Sequence, residues 1–165
     1  MQLIKQNLKI LIVSPSNIAL DTIAERVIEE KNEGNLQYEL TRIGHPARMI
    51  ESVLEISIDR QLESKYSFLK KMNGLKAYLK FVQDPLEKLR IKEVIKKLNI
   101  ERKELALKIL RSSNAIFATT VGAKDKDIQA LLEDGNQNYF DVVILDEAGQ
   151  SLEAGCLISI LLAKK

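Results

Sequence analysis

Two adjacent acids, Asp146 and Glu147, follow the most strand-like run of the chain, Phe140-Asp141-Val142-Val143-Ile144-Leu145. Ligands of open α/β sheets bind outside the carboxyl ends of the strands, so acids placed there stand where a phosphate-bearing ligand sits. An Asp suits Mg2+, a hard cation that takes oxygen ligands. A neighbouring Glu suits the orientation and deprotonation of an attacking water. As a pair they fit metal-assisted phosphoryl transfer. The same carboxylates equally fit a plain role at the start of the next helix, where the macrodipole favours negative charge.

Other residues with usable chemistry fall at equivalent places. Ser14-Pro15-Ser16-Asn17 closes the apolar run Leu8 to Val13 and opens a helical pattern. Hydroxyl, amide and free backbone N–H groups at a helix N-terminus suit a phosphate, although Ser16 or Asn17 could simply cap the helix. Thr119-Thr120 ends a third apolar run and offers two more hydroxyls, in a residue type common in strands anyway. His45 is the sole histidine and has no Cys/His cluster to complete a zinc site, so it reads as a loop residue with a structural hydrogen bond. Cys156, the sole cysteine, lies in an apolar run and reads as a buried, inert thiol. No GxxxxGK[ST] phosphate-binding loop occurs in the 165 residues.

The elements that must position these groups follow from periodicity. Leu8 to Val13 reads as a strand buried on both faces. A helix comes next, with Ile18, Ile23, Val27 and Ile28 on its inner side, ended by Glu33-Gly34-Asn35. Tyr38 to Ile43 alternates like a second strand, which completes a βαβ unit. From Ala47 to Arg111 the spacing becomes helical. Leu54, Ile58, Leu62, Leu69, Met72, Leu75, Leu79 and Val82 form one stripe, and Leu86, Leu89, Val94, Leu98, Leu105 and Ile109 another. Asp84-Pro85 separates them, since proline disfavours helix in the residue before it and suits a first turn. Two long antiparallel helices packed mainly on each other are expected, the first weakened near Gly74 and the second of about 26 residues reaching roughly 39 Å. A strand at Ala115 to Thr120, a short helix around Ile128 to Leu132 within the polar stretch Asp125 to Asn138, the strand before Asp146, and an apolar helix Leu152 to Leu162 follow. The sum is an α/β fold: a parallel sheet interrupted by a helical insertion.

Composition narrows the class. An apolar fraction of 45% and a charged fraction of 29% fit a soluble globular chain. A net charge of +2 names no partner, but its distribution is uneven: Glu51 to Arg111 carries 15 Lys and Arg against 9 Asp and Glu, a net of +6 that leaves −4 for the rest. Basic helices can track a nucleic-acid backbone, and mixed charge on long helices is also an ordinary solvated face. One cysteine excludes an intrachain disulfide. No uncharged apolar stretch is long enough for a membrane span, and no signal-peptide block opens the chain, so an intracellular setting, cytoplasm or nucleus, is expected.

Four ordered segments carry a resemblance. Ile12-Val13-Ser14-Pro15-Ser16-Asn17-Ile18-Ala19-Leu20-Asp21 resembles motif Ia of the up-frameshift-like superfamily 1 helicases, and Ala118-Thr119-Thr120-Val121-Gly122-Ala123 resembles motif Ib. Tyr139 to Gln150, continued by Leu152-Glu153-Ala154, is similar to motif II, the Walker B segment. Arg42-Ile43-Gly44-His45-Pro46-Ala47-Arg48 is similar to the immunoglobulin-mu-binding branch of that family. The resemblance implies a partial RecA-like (P-loop NTPase) sheet, with residues 1–50 and 112–165 from a motor domain and 51–111 an inserted helical stalk. It implies a parent that hydrolyses ATP with Mg2+ and moves on single-stranded RNA or DNA. Asp146 would contact the metal, Glu147 would activate water, and Gln150 would lie near the nucleotide. Ser14, Pro15, Ser16, Asn17, Thr119 and Thr120 would line the nucleic-acid path. The family's P-loop lies upstream and its second motor domain downstream of these motifs, so the 165 residues alone are expected to be inactive. The competing reading is a stand-alone nucleic-acid- or partner-binding module that works through the helical hairpin.

Overall fold

The computed structural model describes residues 2–34, 36–66, 68–133 and 139–164. Asn35, Ser67, the tract 134–138 and the Leu69 side chain, which the sequence places in a helix end, a stalk and a polar stretch, lie outside the described residues. The order along the chain is α1 (Gln2–Lys5), β1 (Ile10–Ser14), α2 (Asn17–Glu33), β2 (Leu40–Arg42), α3 (Ile58–Tyr66), α4 (Phe68–Leu79), α5 (Pro85–Ser112), β3 (Ala115–Thr119), α6 (Lys126–Glu133), β4 (Val142–Leu145) and α7 (Glu153–Ile160). Short 3-10 turns at Pro46–Arg48, Glu51–Ile56, Gly122–Lys124 and Ala148–Gln150 sit between them.

Four strands form one parallel sheet in the order β2-β3-β1-β4. β1 is central: Val13 stands level with Ala118 on one side and Leu145 on the other. Because side chains alternate across a strand, Leu11, Val13, Ile116 and Ala118 enter one core while Ile10, Ile12, Ala115 and Phe117 enter the other. The first core is completed by Ile58, Leu62, Met72, Leu98, Leu105, Ile109 and Leu110 of α3 to α5, and by Ile128 and Leu131 of α6. Ile4 of α1, Leu20 and Ala24 of α2, and Val53 complete the second. The parallel α/β architecture read from the pattern is present.

Several details depart from the sequence reading. Ile18 is not on the inner face of α2 but 77% exposed, and Leu20, Asp21 and Ala24 are the buried residues there. At 3.6 residues per turn Ile18 stands about 200° around the helix from Leu20, and so points away from the inner face that Leu20 and Ala24 define. β2 does not alternate between buried and open positions: Leu40, Thr41 and Arg42 are all buried. Its outer edge is covered by Gln61, whose amide donates to the Leu40 carbonyl (2.9 Å) and to Thr41 Oγ1 (3.1 Å). A bridge between Arg42 and Ser57 adds to that cover. Covering an edge in this way removes a strand-pairing template.

The helical insertion is also less separate than expected. Its first arm is a 3-10 turn and two helices, and Gly74 sits inside α4 rather than at a break, with open space where a side chain would go. α5 has 28 residues, which at 1.5 Å per residue makes it about 42 Å long. Asp84 caps it through both carboxylate oxygens, to the Leu86 and Glu87 N–H groups at 3.1 and 3.3 Å, and Pro85 fills the first turn. Only the far half of the hairpin is free of the body: Leu86, Leu89 and Val94 are exposed, with Tyr78 and Phe81, whereas Leu98, Leu105 and Ile109 lie in the sheet's core. The apolar stripe of α5 therefore serves two partners, α4 at the tip and β1, β3 and α6 at the base.

Candidate nucleotide and nucleic-acid site

The carboxyl ends of β1, β3 and β4 come together on one rim of the sheet. Ser14 stands level with Thr119 in the β1–β3 register. The N–H of Thr120 donates to the Ser14 carbonyl at 3.1 Å, and the N–H of Asp146 donates to the Val13 carbonyl at 2.8 Å. Three segments far apart in sequence are thus tied at adjacent strand ends by main-chain hydrogen bonds, the placement expected of a ligand site in an open α/β sheet.

Asp146 and Glu147 are half-buried at the end of β4. Neither carboxylate has a hydrogen-bond or ion-pair partner among the described residues. They do not cap α7: its N-cap is Leu152, without a side-chain hydrogen bond, and a 3-10 turn at Ala148–Gln150 intervenes. Glu147 holds a left-handed backbone, φ 51° and ψ 35°. For a residue with a Cβ that conformation costs about 1–2 kcal/mol, and such positions concentrate at functional sites. The turn aims consecutive side chains differently from a straight run out of the strand. Gln150 is exposed, and its N–H donates to the Glu147 carbonyl at 2.9 Å, which closes the turn.

The polar rim beside the acids divides into exposed and interior members. Ser16 is exposed and caps α2, its Oγ accepting from the Ala19 N–H at 3.1 Å. Asn17 is half-buried, and its Oδ1 accepts from Arg42 Nη2 at 2.9 Å. Pro15 is half-buried. Thr119 Oγ1 accepts from the Gly122 N–H at 3.0 Å, so this threonine shapes the following turn. A side chain at Gly122 would come within 2.9 Å of that same oxygen, which explains a glycine there. Two of the residues read as surface contacts are interior instead: Ser14 is fully buried and Thr120 is 8% exposed. Ser14 ends a strand covered on both faces, so its hydroxyl points into the protein.

That hydroxyl has no partner among the described residues, and neither does the buried Oγ of Ser151. An unsatisfied buried hydroxyl is destabilising by about 1–3 kcal/mol. One borders Asp146 through β1 and the other follows Gln150, so both flank the acid turn. No cluster of three His, Cys, Asp or Glu able to enclose a metal occurs among the described residues. Mg2+ does not require one, since it commonly takes one or two carboxylates, with waters and substrate phosphates completing its shell. A pair of unpartnered carboxylates at a strand end fits that demand.

The remaining candidates take simple roles. His45 Nδ1 accepts from the Ala47 N–H at 3.2 Å and caps the 3-10 turn at Pro46–Arg48, a structural hydrogen bond as read. Cys156 is not a buried thiol: it is half-buried on α7, its Sγ 3.9 Å from the Ala148 carbonyl oxygen. The half-open α7 leaves Leu152, Leu157, Ile160 and Leu161 exposed, so the apolar run does not bury every member. Sequence reasoning missed Asp21 and Arg42, which pair in the interior at 2.8 Å just beneath the rim. A charged residue at a strand end is of a type usually found at the surface, and nothing in the pattern of β2 announces that α2 and Asp21 cover Arg42.

Comparison with known proteins gives the family of the chain. A family model described as an AAA domain matches residues 2–90 and 80–165, and the chain belongs to that family. It is 36% identical over 176 residues to the DNA-binding protein SMUBP-2 of Rattus norvegicus, covering 100% of this chain and 17% of that protein. It is 33% identical over 165 residues to the DNA polymerase alpha-associated DNA helicase A of Saccharomyces cerevisiae, covering 93% of this chain and 23% of the relative. Likeness to the ATP-dependent helicase upf1 of Schizosaccharomyces pombe is 27% over 169 residues, 98% of this chain and 16% of the relative. The chain is thus related to superfamily 1 helicases across nearly its whole length, and it spans about a fifth of each of these relatives. No helix of the described residues is long and apolar enough to cross a membrane.

Proposed function

We propose that this chain forms part of the first motor domain of an ATP-dependent helicase, in which it contributes the hydrolytic acids and part of the track for a single strand of RNA or DNA. The observation that carries the reading is the pair of unpartnered carboxylates at the end of β4, hydrogen-bonded through the Asp146 N–H to the strand that leads into the Ser16-Asn17 rim. In this reading Asp146 would hold Mg2+, which when bound would supply charge neutralisation on the nucleotide phosphates. Glu147 orients the attacking water and takes its proton. Gln150, on the same turn, stands at the nucleotide. Ser16, Asn17 and Thr119 present hydroxyl, amide and main-chain groups to the nucleic-acid backbone, with Pro15 as a rigid flank. Ser14 and Thr120 support that surface from within.

Coupling follows from the same geometry. Because the acid turn and the rim hang on adjacent strands, a shift of either by a fraction of an ångström is transmitted through β1. Residues 51–111 form the inserted stalk between motor segments 1–50 and 112–165 in this proposal, and an intracellular location, cytoplasm or nucleus, goes with it. Lacking a GxxxxGK[ST] cradle for the β- and γ-phosphates, the 165 residues alone should not turn over ATP.

The experiment is phosphate release, with and without a single-stranded oligonucleotide, by a longer protein carrying this segment and by its Asp146→Ala and Glu147→Gln variants. Turnover should fall at least a hundredfold in both. Unchanged kinetics in either would refute the assignment. The exposed Tyr78, Phe81, Leu86 and Leu89 at the hairpin tip favour one alternative, a module that binds partners or nucleic acid through the hairpin without catalysis. Loss of function on altering the tip, with both acid variants fully active, would select it.

A further inference from the structure

Beneath the rim lies a guanidinium with no contact to solvent. Arg42 ends β2 and is 0% exposed. Its Nε donates to Asp21 Oδ1 at 2.8 Å, its Nη2 to Asn17 Oδ1 at 2.9 Å, and its Nη1 to the Ile43 carbonyl. Asp21 in turn accepts from the Ile50 N–H through its other oxygen at 3.0 Å. The buried charge is therefore paired and hydrogen-bonded, as it must be to be tolerated. Gly44, at φ +143°, leaves the space this head group needs, because a Cβ there would stand 3.1 Å from Nη1.

Arginine has five donors and no acceptor, so the Asn17 atom that meets it is the carbonyl oxygen. The chemistry of the partner fixes which way the amide points. With Oδ1 committed inward, the free end of the side chain is the Nδ2 amino group, which has no partner among the described residues. We propose that Arg42 is a positioning residue of the nucleic-acid rim: by holding Asn17 Oδ1 it presents the Asn17 NH2 as a fixed hydrogen-bond donor to a backbone phosphate. This rests on the reading of the rim given above. It explains why a strand-end arginine is spent in the interior rather than on the surface, where it would contact the phosphate itself.

The test is a double-mutant cycle on the chain, read by fluorescence anisotropy with a labelled single-stranded oligonucleotide at fixed salt, with thermal midpoints recorded alongside. Asn17→Ala should weaken binding about tenfold, the scale of one charge-assisted hydrogen bond. Arg42→Lys should weaken it severalfold alone and less than twofold in the Asn17→Ala background, since it acts through Asn17. Should Arg42→Lys not fold, Asn17→Asp serves: it keeps the oxygen facing Arg42, so the midpoint holds while a carboxylate replaces the donor and binding falls. An unchanged affinity in Asn17→Ala sinks the rim reading and the proposal with it. Loss in Asn17→Ala with a full, additive loss in Arg42→Lys leaves the rim standing and overturns the role of Arg42, as does undiminished binding by Asn17→Asp. A readout free of ligand is the 15N relaxation of the Asn17 side-chain amide: rigid in the unaltered chain, mobile in Arg42→Lys. An amide equally rigid in both, or one already mobile in the unaltered chain, overturns the proposal even where oligonucleotide affinity is too weak to measure.

Discussion

The Asp146 N–H donates to the Val13 carbonyl at 2.8 Å, one residue before Ser14 begins the turn into α2. This bond fixes the acid turn to the central strand by main chain alone, independent of the carboxylate. Asp146→Asn therefore keeps the β1–β4 pairing while removing the charge proposed to hold Mg2+. Its thermal midpoint should match the unaltered chain within about 2 °C, a surface-type change of under 0.5 kcal/mol. In a longer protein with the phosphate-binding loop, the same variant should lose Mg2+-dependent turnover. A large drop in the midpoint would show that the Asp146 side chain serves the fold, against its lack of partners.

Glu147 offers the opposite signature. Its left-handed backbone is strained for any residue with a Cβ and free of strain for glycine. Glu147→Gly should accordingly raise stability, or leave it level, by up to about 1 kcal/mol, the glycine's extra unfolded-state entropy offsetting part of the relief. Catalysis in the longer protein should disappear. Calorimetry of the variant chain decides the matter: a clear loss of stability would mean that the glutamate side chain supports the turn.

What was legible in the sequence was whatever rests on local periodicity and on motifs. The apolar runs before Ser14, Thr120 and Asp146 became β1, β3 and β4, and the Asp84-Pro85 interruption became the cap and first turn of α5. Long-range burial was not legible. Ser14 and Arg42 look like surface residues by type, yet both are fully buried, because the sheet is covered on one face by α2 and on the other by α3 and α5, a cover that no local pattern reports. The division of the α5 stripe between tip and core was hidden for the same reason: a 3.6-residue period reports that a face is apolar and not which partner covers it.

Asp141 gives a pH-dependent prediction. The Lys164 ammonium bonded to Oδ1, together with the Lys9 N–H donating to Oδ2 at 2.7 Å, holds this carboxyl below its ordinary range. A depressed folded-state pKa means that the contribution to stability is present above the unfolded-state value and disappears as pH falls through the folded-state value. The difference in thermal midpoint between the unaltered chain and Asp141→Asn should thus be greatest near neutral pH and close to zero in strong acid. A difference that stays constant across the carboxylate range would mean that the pairing at the start of β4 does not depend on charge.

The two ends of α5 should respond differently to the same substitution. Leu105 is 9% exposed and packs in the core beneath β1 and β3, whereas Leu89 is 57% exposed on the outer half of the hairpin. Truncating a buried leucine removes transfer free energy and leaves a cavity, so Leu105→Ala should cost about 2–5 kcal/mol. Leu89→Ala gives up little burial and should stay within about 0.5 kcal/mol. Urea denaturation of both variants, followed by circular dichroism, measures the contrast. Equal and small effects would mean that the hairpin folds apart from the sheet, and that the sheet derives none of its stability from the hairpin. The expected asymmetry would mean that any movement of the tip bends α5 against a base fixed in the same core as the strands carrying the acid turn and the rim.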